Sequence, residues 1–191
     1  MAFADTLLDE TEATMTIVDR DHSPGGHWNH AYPFVRLHQP ATFYGAASRQ
    51  LGNNRVETDG TNKGMTELSS GVEIRAYVID LMEQRLLPSG RVRYLSNSEV
   101  QADGSIRSLL SCEVHTKDVG RKTVQAHIMG GSIPATHDPQ FEIAPDAHCV
   151  PVAMLADIRR PASQYVILGS GKTGIDACLW LLERGVAPDK I

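Results

Sequence analysis

The period of the apolar positions changes along the chain, and each change marks an element. Residues 2–11 carry Phe3, Leu7 and Leu8 at i, i+4 and i+5, which predicts a short helix with those three on its inner face. Met1 stands where a capping Ser, Asp or turn glycine would sit, so the helix starts without a side-chain cap. MTIVDR, residues 15–20, is a short apolar run closed by an acid, the pattern of a buried parallel strand. HSPGGHWNHAYP then breaks every period with glycines, prolines and aromatics and reads as a loop. Residues 35–64 hold four glycines and no sustained period, which predicts an irregular segment suited to covering a ligand. From Ser70 the helical period returns and runs to about Leu87, with Ile74, Val78, Leu81 and Met82 on one face. Ser70 followed three residues later by Glu73 predicts a capping box, and Pro88-Ser89-Gly90 a stop.

Beyond Gly90 the pattern turns to strands. VRYLSNSEV, the turn Asp103-Gly104, SIRSLLSCEVHT, the turn Val119-Gly120-Arg121 and KTVQAHIM together predict an antiparallel meander over about 91–129. Half of the ten prolines lie between Pro134 and Pro161, which makes 134–163 a connecting stretch between units. QYVILGSGKTGIDACLWLLERG reads as strand, glycine turn and helix, with Gly185 as the helix stop. The expected fold class is α/β, with a first unit over 1–133 and the opening of a second over 164–191.

Composition narrows the functional classes. The chain has 191 residues, an apolar share of 41% and a formal net charge of −5, with basic residues single or in pairs. It therefore offers no basic stripe for nucleic acid. The first residues, with Asp5, Asp9 and Glu10, have the wrong charge for a signal or transit peptide, and no apolar run approaches the ~20 residues of a membrane helix. Cys112, Cys149 and Cys178 are odd in number and far apart, as reduced thiols of a cytoplasmic protein are. His22, His27, His30 and His38 match no helix face and no finger spacing, so loop polarity explains them better than a metal. Cys149 has no assigned base, and Ser132 and Ser170 lack the G-x-S-x-G setting of a hydrolase elbow.

GSGKTG carries the sharpest chemistry. A mononucleotide phosphate loop needs G-x-x-x-x-G-K-[ST], but five positions before Gly171 stands Val166, inside the apolar run, and the loop is too short to wrap a phosphate. G-x-G-x-x-G fits instead as Gly169, Gly171 and Gly174. Gly169 would make the tight turn, Gly171 would admit a pyrophosphate, and Gly174 would let helix and strand pack closely. Ser170, Lys172 and Thr173 complete the candidate nucleotide-binding set, Lys172 as a turn residue that touches a 2′-phosphate or nothing. A glycine turn that binds nothing is the competing reading.

Asp19 at a strand end, Gly25-Gly26 and Trp28 form a second candidate set. An acceptor-only carboxylate can take both hydroxyls of a ribose, glycines let a main chain pass close to a flat ring, and an indole adds apolar area. Taken singly, Asp19 is a solvated strand end and Trp28 a partly buried anchor. Together, the spacing from the acid to GG-x-W, the following Tyr32-Pro33 and the later GxGxTG resemble flavin-containing monooxygenases and the wider two-dinucleotide-binding flavoproteins. The resemblance implies a Rossmann-like sheet and two cofactors, FAD and NADPH. FAD would be held by Asp19 at its ribose and by Gly25, Gly26, His27 and Trp28 along its flavin side, with Arg36, Leu37, His38 and Gln39 approaching the ring. NADPH would lie on Gly169–Gly174. The implied activity is NAD(P)H-linked oxidation, monooxygenase-like, of a small organic substrate.

Against that pattern the sequence starts inside the first helix, without the family's first strand and glycine loop, and ends one helix into the second unit. A fold incomplete at both ends is expected. No F-x-G-x-x-x-H signature appears. A second chain completing the fold, or a non-catalytic remnant or interaction protein of the same fold that does not bind FAD, is the alternative.

Overall fold

The structure, a computed structural model, describes residues 1–115, 122–126 and 138–191. Helix α1, Ala2–Glu10, forms where the pattern predicts it and has no side-chain cap at Met1. Its inner face differs from expectation. Ala4, Asp5 and Leu8 are buried, whereas Phe3 is 57% exposed. Positions 1, 4, 5 and 8 form the i, i+3, i+4, i+7 stripe of a helix, and that stripe includes an aspartate and leaves out the phenylalanine.

Strand β1, Met15–Val18, pairs in parallel with VRYL, and the crossover between them carries helix α2, Gly71–Leu81. Ser70 Oγ accepts from Glu73 N at 3.3 Å, and Ser70 N donates back to Glu73 Oε2 at 2.7 Å, closing the capping box. A π turn, Met82–Leu86, and a 3-10 turn, Leu87–Ser89, extend the helical path to Gly90 at φ 68°. One core lies between these pieces: Ala4, Leu8, Met82, Leu86 and the VRYL residue Val92, with Met15, Ile17 and Tyr94 packed against it.

Two short hairpin strands, β2 at Gly45–Ala46 and β3 at Arg49–Gln50, interrupt the otherwise irregular 35–64 segment. That segment packs Leu37, Ala41 and Leu51 against Ile74 of α2 in a second core.

The predicted meander over about 91–129 requires correction. Its first stretch, VRYL, is β4, Val92–Leu95, the parallel partner of β1 in the register Met15↔Val92 to Val18↔Leu95. Val92 is buried in the α1 core beside Met82 and Leu86, and pairing with β1 seats it there. Asn97, at φ 45°, turns the chain into the antiparallel part. This consists of β5 Ser98–Val100, β6 Ile106–Ser108 and β7 Val114–His115. Of the last predicted strand, residues 122–126 carry no strand, and 127–129 lie outside the described residues, as do the Val119-Gly120-Arg121 turn and Ser132.

In the proline-rich connection, Val152–Asp157 forms a 3-10 turn whose Leu155 is buried. Helix α3, Lys172–Glu183, packs Ala177 and Leu181 on Leu155 in a third core. Gly185, at φ 83°, ends it: Val186 N donates to Leu181 O at 3.0 Å and Gly185 N to Leu182 O at 2.9 Å, a Schellman pair.

The strand predicted at YVIL is not found. Residues 165–168 belong to no sheet of the described residues, and Val166 and Leu168 are 75% and 68% exposed. An apolar run becomes a strand only where a neighbour completes its backbone hydrogen bonds. Here Tyr165 N donates to Lys190 O at 2.7 Å and no described strand lies alongside. The architecture is mixed α/β with two- and three-stranded open sheets. Among the described residues, no helix is long and apolar enough to cross a membrane.

Candidate functional site

Two groups of predicted residues are each brought together, and a short segment joins them. The first is the glycine turn leading into α3. Gly169 has φ 114°, which favours glycine, and makes the bend. Gly174 sits in the first turn of α3, where an added Cβ would lie 2.6 Å from the Gly169 carbonyl oxygen. Helix and turn are in contact there. Around Gly171 nothing comes within 4 Å of an added Cβ, so the middle glycine faces open space. Gly171 is the N-cap residue of α3 and no side chain caps the helix. The first backbone N–H groups of the helix, those of Lys172, Thr173 and Gly174, are therefore the donors available to an anion.

Lys172 is less available. Its ammonium pairs with Asp176, one helical turn along, and lies 3.5 Å from the Tyr32 hydroxyl. Tyr32 in turn donates to Asp176 Oδ2 at 2.6 Å. Burial, then the hydrogen bond and charge of Asp176, raise the Tyr32 phenol well above its usual value, so it stays protonated and remains a donor. Ser170 is exposed and Thr173 half-buried.

The second group is the loop after β1. Asp19 follows the strand directly, its N–H donating to Leu95 O at 2.9 Å. Its carboxylate accepts from Asp21 N at 3.0 Å and, at 3.4 Å, from the Tyr94 hydroxyl, leaving acceptor sites unused. The loop folds back on itself: Asn29 Nδ2 donates to Ser23 O at 2.8 Å, and His30 Nε2 lies 2.7 Å from Asp21 Oδ1. Gly25 and Gly26 both have positive φ, 143° and 55°. An added Cβ at Gly25 would meet Asn29 Oδ1 at 2.9 Å, whereas one at Gly26 would meet nothing within 4 Å. His27 and Trp28 follow on a 3-10 turn, their rings 5.0 Å apart.

Trp28 packs on the second core and lines a cavity of about 210 Å³ with Leu37, Tyr44 and residues of α1 and α2. Gln39 stands near it by accepting from Tyr44 Oη at 3.1 Å, while His38 is exposed. Arg36 turns away, toward Glu57 at 3.4 Å. Asp19 and Gly169–Gly174 do not line this cavity.

The joining segment is Tyr32–Phe34. Besides the Tyr32–Asp176 hydrogen bond, Phe34 stacks on Trp180 of α3 at 4.8 Å. The GG-x-W loop and the glycine-turn helix are thereby held against each other.

The polar centre that sequence reasoning missed is Asp5. It is fully buried and accepts from Ser48 N at 3.0 Å and Ser48 Oγ at 2.5 Å, and it pairs with Arg85, which also reaches Asp9 at 2.7 Å. Burial pushes its carboxyl up, but the Ser48 hydrogen bonds and the Arg85 guanidinium outweigh that and hold it below the usual carboxylate range. The one signal available was its place on the 1-4-5-8 stripe.

No family model matches the sequence, and no solved structure matches it. Uncharacterized proteins of Mycobacterium bovis and Mycobacterium tuberculosis are 44% identical to it over 191 residues, the whole of this chain. The chain spans 35% of the length of those relatives. Their names state no ligand and no reaction.

Proposed function

We propose that the turn at Gly169–Gly174 binds the pyrophosphate of a nicotinamide dinucleotide, and that the chain is part of a flavin- and NAD(P)H-linked oxidoreductase of the monooxygenase-like kind. One observation carries this reading: the three glycines stand in three different settings. Gly169 bends at positive φ, Gly171 leaves space above an uncapped helix start, and Gly174 is locked against the Gly169 carbonyl. A turn selected only for its bend needs the first of these and not the other two. The dinucleotide fingerprint needs all three, and also a strand leading into the turn, which residues 165–168 do not form among the described residues.

The residues present fit the parts of the two cofactors unequally. At the glycine turn, Gly171 leaves room for a phosphate and the first-turn N–H groups supply donors, aided by the helix dipole. Since Lys172 is paired with Asp176, phosphate affinity at this position rests on the backbone. On the flavin side, Asp19 retains acceptor capacity for ribose hydroxyls, and Gly26 and His27 present an open edge along which a ring system would pass. Among the described residues no second glycine turn stands ready for the pyrophosphate of FAD. When bound, the nicotinamide supplies hydride and the flavin passes electrons on to the acceptor. The contribution of this chain is to bind, orient and exclude water.

A second reading, an interaction protein of the same fold that does not bind FAD, is favoured by the exposed apolar side chains of Val166 and Leu168, which a partner would cover. Two measurements on the purified chain separate the readings. Calorimetric titration with NADP+ is expected to saturate while ATP does not, and protein mixed with FAD and desalted is expected to keep a visible flavin band. Without saturable NADP+ binding the oxidoreductase reading falls; with NADP+ binding but no retained flavin, the interaction reading gains.

A further inference from the structure

The cavity beside Trp28 is lined by neither Asp19 nor the glycine turn, although Trp28 and Leu37 in its lining are residues the resemblance places along the flavin. It holds about 210 Å³ and is lined by uncharged side chains, among them Trp28, Leu37, Tyr44, Ile74, Tyr77 and Val78, together with Met1, whose α-amino group is partly buried near Asp5. Gly45, also in the lining, is exposed, so the cavity reaches the surface there. Its contrast is the larger cavity of about 530 Å³, lined by Arg49, Arg85 and Arg91, each of which already has an acidic partner.

The apolar cavity is built rather than left over. Tyr77 Oη donates to Arg49 O at 2.5 Å and accepts from Ala46 N at 2.7 Å, clamping the β2–β3 hairpin over α2. Gly45 is held in that clamp at φ 122°, with an added Cβ only 3.1 Å from Tyr77 Oη. Tyr44 Oη is engaged with Gln39 Oε1. Both hydroxyls are thus committed to the protein, and what the two rings and the Trp28 indole offer a guest is apolar surface. A cationic guest would meet no carboxylate in the lining and would lose its hydration. Size sets the other bound, because an apolar cavity of about 150 Å³ accepts benzene and general ligand sites begin near about 300 Å³. The fit is one or two fused rings.

We propose that this cavity binds a small, neutral, planar aromatic molecule of about the size of indole. The proposal deepens the oxidoreductase reading by naming its substrate class. It rests on that reading for the word substrate, but not for the binding.

The test uses the full chain, with no nucleotide added, and indole as the probe in saturation-transfer NMR titrations. Saturable indole binding is expected, with the cationic analogue tryptamine at least tenfold weaker. Val78→Phe, which fills the cavity from α2, is expected to weaken indole at least tenfold with no fall in Tm, as cavity-filling changes commonly stabilise. Absence of saturable indole binding, or tryptamine binding as well as indole, overturns the proposal. So does unaltered affinity in a folded Val78→Phe variant; if that variant does not fold, the charge comparison on the parent chain decides alone. Indole binding without NADP+ binding would sink the oxidoreductase reading and leave the cavity standing, and the reverse result would do the opposite.

Discussion

Gly174→Ala tests whether helix α3 truly rests on its own entry turn. In an open helix the change would stabilise by about 1 kcal/mol, because alanine loses less backbone freedom than glycine. Here the new methyl would sit 2.6 Å from the Gly169 carbonyl oxygen and 3.4 Å from Ile167 Cγ2, roughly 0.8 Å inside ordinary contact with the oxygen. A backbone oxygen cannot swing aside as a side-chain tip can, so either α3 or the bend has to move. Overpacking of this kind costs about 1–3 kcal/mol, and contact with main chain places it in the upper part of that span. After the propensity gain is subtracted, a net loss of about 1–2 kcal/mol is expected. Urea unfolding followed by circular dichroism would show a lower midpoint at unchanged slope. A variant as stable as the parent, or more stable, would refute the close approach and with it the role assigned to the third glycine.

Asp5→Asn is expected to destabilise by about 2–3 kcal/mol, since it removes the charge that Arg85 and both Ser48 donors share in a buried position. Because the folded-state carboxyl lies below its usual value, its stabilising effect is complete above about pH 4 and is lost as the pH falls through the folded-state value; acid unfolding of the parent, and a shallower acid slope in Asp5→Asn, check the sign. Ser70→Ala breaks the capping box of α2 and is expected to cost about 1 kcal/mol in the same urea assay. Gly185→Ala forces alanine into the left-handed region at φ 83° and is expected to cost about 1 kcal/mol, read as a lower Tm.

Local signals were legible in the sequence and distant ones were not. The Ser70–Glu73 box and the stops at Gly90 and Gly185 depend on residues a turn apart, and all three stand in the structure. The burial of Asp5 depends on Ser48 and Arg85, 43 and 80 residues away, and no periodicity within α1 announces them. VRYL reads as a meander strand because its apolar residues are followed by a turn, yet its partner is β1, which only the crossover through α2 brings alongside. YVIL has the composition of a strand, but composition supplies no neighbour. For the candidate site, the bend at Gly169 and the close approach at Gly174 were readable from spacing alone. The Tyr32–Asp176 hydrogen bond spans 144 positions and was not.

Gly171→Ser gives the most direct measurement of the central claim. Gly171 has φ −76° and ψ 174°, an N-cap conformation that serine adopts readily, and the space around it is open. The new hydroxyl would accept from a first-turn N–H, the same donor set assigned to the pyrophosphate. Calorimetric titration of both proteins with NADP+ is therefore predicted to show at least tenfold weaker binding in Gly171→Ser, alongside an unchanged or raised Tm. Equal NADP+ affinity in the two proteins would contradict the claim that phosphate rests on this turn.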